Sequence, residues 1–238
     1  MPSSQSPNQQ DRTMTTQILP ISDPAARSRA HALIQDHQVI AAPTDTVYGL
    51  MCRYDSAAAI EQLYVVKNRP PQKAIPVLIA DEEQLDLLVA PPLPPVARFL
   101  MARFWPGALT LILAARPHLP AILTAGQPTV AVRMPDHDLL RELMRQTGPL
   151  AATSANLSGQ PEAHSAEEVL ALLPHGIPLI LADTPESGRE EGPPSTIVDV
   201  SGPATARPAI LRVGPIADAI NRALDEFGYP PLAHADRD

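Results

Sequence analysis

Val39-Ile40-Ala41-Ala42, running into Pro43-Thr44-Asp45-Thr46-Val47-Tyr48-Gly49-Leu50, is the stretch that decides the fold. The four apolar residues read as a short buried strand that ends at the proline. The hydroxyl groups of Thr44 and Thr46 then follow directly on a strand end. In an α/β sheet that is where ligands bind, because backbone and side-chain polar groups are free there. Upstream, Asp23-Pro24 offers an N-cap followed by proline at the first helical position, and residues 25–38 carry Ala, Leu and Ile at helical spacing. A helix therefore leads into the strand.

Downstream, Ser56 caps a second helix in which Ile60, Leu63, Tyr64 and Lys67 recur at three- and four-residue steps. Apolar runs predict further strands over 75–79, 109–113, 130–133, 150–153, 179–181, 196–200 and 210–213. Helices are predicted over 81–89, 94–104, 136–146, 166–173 and 216–227. Strands and helices mix without strict βαβ repetition, so the fold class is α/β or α+β with a mixed parallel and antiparallel sheet. Residues 1–17, rich in Ser, Gln, Asn and Thr, read as a flexible tail. Residues 18–214 then form one domain, and 215–238 a C-terminal helix and tail. The stretch 184–194 has loop composition and an acidic middle, and is expected to be a mobile flap.

Composition narrows the class. The chain has 238 residues, 45% hydrophobic and 18% charged, enough to bury a core. Its 29 prolines are spread without a repeat and read as loop stiffening. One cysteine, Cys52, excludes an intramolecular disulfide and a cysteine-only metal cluster, which fits a reducing compartment. The longest apolar stretch, 108–115, falls far short of the ~20 residues that span a bilayer. No membrane span is expected, and a cytoplasmic location fits best.

Against a net charge of -8, Lys67-Asn68-Arg69-Pro70-Pro71-Gln72-Lys73 gathers three cations into seven residues. Lysine and arginine there could stabilise phosphate oxyanions, although for the triplet alone a solvated helix end favoured by the helix dipole is the simpler explanation. Thr153-Ser154-Ala155-Asn156-Leu157-Ser158-Gly159 follows a strand and could cradle phosphate oxygens; taken alone, an ordinary N-cap or Asx turn is the better reading. No G-x-S-x-G surrounds Ser154, which excludes a nucleophile elbow. Neither a P-loop nor a G-x-G-x-x-G is present. The seven histidines lack metal-site spacing, and Asp136-His137-Asp138 reads as a helix cap. Arg133 closes the run Val130-Ala131-Val132, and is either salt-bridged or directed at a ligand carboxylate or phosphate.

Taken in order from about Ile18 to Gly214, six segments together resemble the YrdC-like threonylcarbamoyl-AMP synthase family. They are 43–50, Lys67-x-Arg69, Trp105-Pro106-Gly107, Val130 through Met134-Pro135, 153–159 and Pro194-Ser195-Thr196-Ile197-Val198-Asp199. The resemblance implies a twisted mixed sheet flanked by helices with a positively lined concave ligand face. It also implies an activity: L-threonine, bicarbonate or CO2, and ATP give threonylcarbamoyl-AMP and pyrophosphate, toward the t6A modification of tRNA. By the same resemblance Lys67 and Arg69 are catalytic and hold the ATP phosphates, with Ser154 and Asn156 near the triphosphate. Thr129 and Arg212 would complete the nucleotide site, and Thr44, Arg133 and Ser195 would surround threonine, Arg133 facing its carboxylate. Mg2+ would travel on the phosphates without protein ligands, and tRNA or the t6A transferase machinery would be the macromolecular contact.

Two departures stand out. Asp183-Thr184-Pro185 replaces glycines common in the family, and Ala108 replaces a proline. Only 24 residues follow Gly214, which points to the short, single-domain form. An RNA-binding paralogue, or one running another carbamoyl-adenylate reaction, is the alternative. The net charge of -8 and 3% aromatic content argue against strong RNA affinity, and the intact Lys67-x-Arg69 and Ser154-x-Asn156 favour the synthase.

Overall fold

The computed structural model describes residues 15–184, 192–203 and 205–229. In chain order these form β1 (Gln17–Pro20), α1 (Pro24–Gln35), β2 (Ile40–Ala42), β3 (Gly49–Arg53), α2 (Ala57–Lys67) and β4 (Val77–Leu78). A 3-10 helix (Glu82–Leu87), α3 (Pro95–Phe104), β5 (Leu109–Ala114), α4 (Ala121–Thr124), β6 (Thr129–Arg133) and α5 (Asp138–Thr147) follow. The chain continues with β7 (Leu150–Ser154), α6 (Ala166–Leu172), β8 (Leu179–Ala182), β9 (Thr196–Asp199), β10 (Ala209–Arg212) and α7 (Ala217–Phe227). All ten strands join one sheet in the order β1-β8-β2-β3-β7-β4-β6-β5-β9-β10. The sheet is mixed, as the sequence predicts. The pairs β1/β8, β2/β8, β4/β6 and β5/β9 run parallel, and the other neighbours antiparallel.

Side chains alternate across a strand, so a sheet with helices on both faces sorts one strand into two cores. Ala41, Leu50, Cys52, Val77, Ala151 and Ile180 enter one core with residues from α2, α3, α6 and α7. Ile40, Ala42, Met51, Leu78, Leu150, Ala152, Leu179 and Leu181 enter the other, under α1 and α5. On that second face the pattern changes farther along the sheet. By register Arg133 lies beside Leu78 and Thr110, Ala131 beside Ile112, and Ile197 beside Thr110. Arg133, Thr110, Ala131, Ile112 and Ile197 line a cleft instead of meeting a helix.

Helix boundaries follow local chemistry. Asp23 accepts the N–H of Ala25 at 2.8 Å and caps α1. The helix stops at Gln35, short of the predicted 38, because His37 adopts φ +58 and Gln38 N–H returns to Leu33 O. Ser56 caps α2 as expected. The cap of α5 is His137, whose side chain accepts from Leu140 N–H; its Nε2 lies 3.5 Å from Asp183.

Three expectations need correction. The strand over 75–79 pairs as β4 only at Val77–Leu78, since Pro76 offers no N–H to a ladder. The helix over 81–89 is a 3-10 helix. The chain is anchored before residue 18: Gln17 pairs with Leu179 in β1, and Thr16 Oγ1 donates to Ile177 O at 2.7 Å. At the other end, α7 buries Ile220, Ala223 and Leu224 in the first core and so belongs to the same body. Most of the expected flap, residues 185–191, lies outside the described residues, as do 1–14 and 230–238.

Candidate active site

The cleft encloses about 300 Å³. Its floor is the cleft-facing row of β6, β5 and β9. Its walls come from the 44–49 loop after β2, the turn after α2, the end of β7, Ser195 just before β9 and Arg212 at the end of β10. A larger hollow of about 530 Å³ lies among Pro92 to Val96, the 199–208 turn and α7. Its one arginine, Arg207, is committed to Asp225 and Asn221. Convergent polar chemistry is in the smaller cleft.

Asn68, with φ +50, ends α2 and turns the chain so that Lys67 and Arg69 diverge. Arg69 lines the cleft, its Nε donating to Lys73 O at 3.0 Å and Nη2 to Ala74 O at 2.6 Å, with Nη1 3.5 Å from Thr153 Oγ1. Burial draws its pKa below the ordinary guanidinium value. Lys67 turns away and is 3% exposed. Its Nζ donates to Ser154 O at 2.5 Å and to Asn156 Oδ1 at 2.6 Å, with Asn156 O at 3.0 Å and Ser154 Oγ at 3.2 Å. Burial first, then repulsion from Arg69, pushes the Lys67 ammonium from 10.5 down to about 8. Asn156 is equally enclosed, its Nδ2 donating to Gln160 O at 2.5 Å. Lys67 and Asn156 thus shape the loop that presents Ser154.

Across the cleft, Arg133 is gripped by three groups. Nε donates to Gly107 O at 3.0 Å, Nη1 to Thr46 Oγ1 at 2.9 Å and Nη2 to Asp45 Oδ1 at 2.5 Å. Thr44 Oγ1 donates to Val47 O at 2.7 Å and accepts from Thr46 N–H, which fixes the loop carrying these partners. Ser195 Oγ lies 2.8 Å from Thr110 Oγ1 and accepts from Arg212 Nη2 at 3.0 Å, while Arg212 Nε donates to Ser195 O. Arg212 reaches the cleft through an irregularity. Ile210 pairs with Val198 but Arg212 with Ile197, so Leu211 is an extra residue that turns Arg212 from the core parity to the cleft parity. Burial, then the positive charge of Arg133, holds the Arg212 pKa below its usual value.

Of the residues singled out in the sequence, Thr44, Arg69, Arg133, Ser154, Ser195 and Arg212 line one cleft. Lys67 and Asn156 stand behind it. Thr129 opens β6 while Arg133 closes it, so ~13 Å of strand separates them, and Thr129 is not in the cleft lining. Sequence reading passed over Asp45 and Thr46 as partners of Arg133, and Thr110 as partner of Ser195. Asp45 and Thr46 stand in the opening motif, whereas nothing local marks Thr110.

The Sua5/YciO/YrdC family profile, described as telomere recombination, matches residues 32–214. A Bacillus subtilis protein named threonylcarbamoyl-AMP synthase is 47% identical over 156 residues, covering 65% of this chain and 44% of its own length. A Serratia proteamaculans protein of the same name is 39% identical over 169 residues, covering 70% of this chain and 87% of its own. Among solved structures, Pyrococcus abyssi Sua5 complexed with L-threonine superposes with a TM-score of 0.77 at 34% identity, covering 88% of this chain and 60% of that one. The chain therefore spans under half of the Bacillus relative and most of the Serratia one.

Proposed function

We propose, since the chain belongs to the Sua5/YciO/YrdC family, that it is a threonylcarbamoyl-AMP synthase, a nucleotidyltransferase using L-threonine, bicarbonate or CO2, and ATP. In this reaction an oxygen of the threonine carbamate attacks the α-phosphorus of ATP. The bond from that phosphorus to the bridging oxygen breaks, and pyrophosphate leaves with the electron pair. Carbamate, substrate carboxylate and triphosphate crowd negative charge together, so the protein's task is to position and neutralise. No nucleophilic side chain is required.

One observation carries the proposal. Arg69, Arg133 and Arg212 converge on a single cleft with the hydroxyls of Thr44, Ser154 and Ser195, and among the described residues no carboxylate joins that lining. This is a site for anions. Arg133, Thr44 and Ser195 take the amino acid, with its carboxylate on the Arg133 fork. Arg69 and Ser154 take the phosphates on the opposite wall, and Arg212 bridges toward the nucleotide. Lys67 and Asn156 act through the Ser154 loop. Thr129, ~13 Å along β6, is the contact for the nucleoside end.

A lining of hydroxyl and guanidinium groups without a carboxylate does not fit a Mg2+ held by the protein alone, and no group of three or more His, Cys, Asp or Glu capable of holding a metal occurs among the described residues. Mg2+ enters only as a counter-ion carried by the nucleotide. The catalytic unit of this reading runs over residues 18–214, with α7 packed into its first core. Its product, a reactive mixed anhydride, would pass to the t6A transferase machinery in the cytoplasm. No helix among the described residues is long and apolar enough to cross a membrane.

Pyrophosphate release from ATP and bicarbonate, compared among L-threonine, L-serine and no amino acid, tests the reading. Threonine-dependent release is expected, with serine weaker by about 10- to 200-fold for the missing methyl. Release that is the same without any amino acid would sink it.

A further inference from the structure

We propose that Asp45 is a positioning residue for the amino-acid half of the cleft, its carboxylate holding the Arg133 guanidinium in the orientation that receives the substrate carboxylate. This rests on the synthase reading above. Of the three groups that grip Arg133, Gly107 O and Thr46 Oγ1 are neutral, and Asp45 is the charged one. The two side chains are 7% and 15% exposed, so their bond is largely shielded from water. A charge-assisted bond there is roughly twice as strong as a neutral one.

The geometry also shows how Asp45 can act without competing for Arg133. A guanidinium carries five N–H donors. The three grips use one each on Nε, Nη1 and Nη2, which leaves one N–H on each terminal nitrogen for a ligand. Arg133 lines the cleft and Asp45 does not, so Asp45 acts through the arginine. Asp45 also tempers the charge of a cleft that Arg212 enters from β10. Without it two guanidinium groups would face the same volume with no fixed counter-charge on Arg133, and the fork would be free to swing.

The test is steady-state kinetics of the full chain with Asp45→Ala and Asp45→Asn, using L-threonine and L-threoninamide in turn. Asp45→Ala is expected to raise the KM for threonine by about 10- to 100-fold, the scale of a misplaced positioning group, with the KM for ATP unchanged and the Tm lowered, because a buried guanidinium loses its counter-charge. With threoninamide, which has no carboxylate for Arg133, the variant and the native chain should differ little. Asp45→Asn keeps the volume and an Oδ1 acceptor and should recover part of the loss; it carries the test if Asp45→Ala does not fold. An unchanged threonine KM in both variants would overturn the proposal. So would an equal rise for threonine, threoninamide and ATP, which marks a merely structural role. A native enzyme that uses threonine and threoninamide equally would overturn the assignment of Arg133 to the carboxylate, and the role of Asp45 with it.

Discussion

Replacing Lys67 with methionine separates two costs that the structure sets against each other. Four oxygens of Ser154 and Asn156 surround the ammonium, and hydrogen bonds to a charged donor contribute ~1.5–3 kcal/mol each where the partner would otherwise go unpaired. Keeping that ammonium charged in a site 3% exposed is itself unfavourable, since a fall from 10.5 to about 8 costs about 3 kcal/mol at ~1.36 kcal/mol for each pH unit. Lys67→Met removes both terms; the three N–H groups of the ammonium lose ~4.5–9 kcal/mol of bonding against the ~3 kcal/mol regained, so a net loss of about 2–6 kcal/mol is expected near neutral pH. Turnover should also fall by about 100- to 1000-fold, because the loop presenting Ser154 loses its template. The sign of the pH effect is fixed. Between about pH 8 and 10.5 the native chain binds fewer protons at Lys67 than the unfolded chain, so native stability rises with pH across that window. The assay is denaturant unfolding of both proteins at pH 7.5, 9 and 10. The native chain should gain up to about 3 kcal/mol on Lys67→Met across the series. A difference independent of pH would refute the reasoning.

Arg69→Ala should cost ~2–4 kcal/mol of transition-state stabilisation, read as kcat/KM for ATP, and should raise the pKa of Lys67 by removing the repulsion of Arg69; unchanged turnover would remove Arg69 from the phosphate site. Gly214→Ala would place a Cβ 2.5 Å from Thr196 N and 2.6 Å from Pro194 O. Only backbone is available to yield there, so thermal unfolding should show a loss of about 1–3 kcal/mol, with weaker threonine binding by calorimetry as Ser195 shifts. An unaltered Tm would show that the approach of Gly214 to the start of β9 is not tight.

The fold was readable where a signal is local. The run ending at Pro43, the cap at Ser56 and the apolar runs at 109–113 and 130–133 each match an element observed at nearly the same bounds. β1 was missed because Gln17-Ile18-Leu19-Pro20 is four residues long and follows a polar tail. β3 was missed because its residues continue directly from the polar motif that marks a loop. Much of the site depends on relations that no single stretch carries. Asp45 meets Arg133 across 88 positions of sequence. The cleft parity of Arg212 depends on an extra residue in β10 relative to β9, a property of two strands together. The divergence of Lys67 from Arg69 follows from a left-handed Asn68, which helical spacing alone does not mark.

The central claim is that threonine is activated through a carbamate while its own carboxylate stays on Arg133. The most direct measurement is mass analysis of the adenylate formed from ATP, L-threonine and carbon-13 bicarbonate. The account predicts an adduct of threonine and AMP that carries the carbon-13 label. An unlabelled threonyl adenylate, in which the amino acid's own carboxylate has attacked the phosphorus, would contradict it.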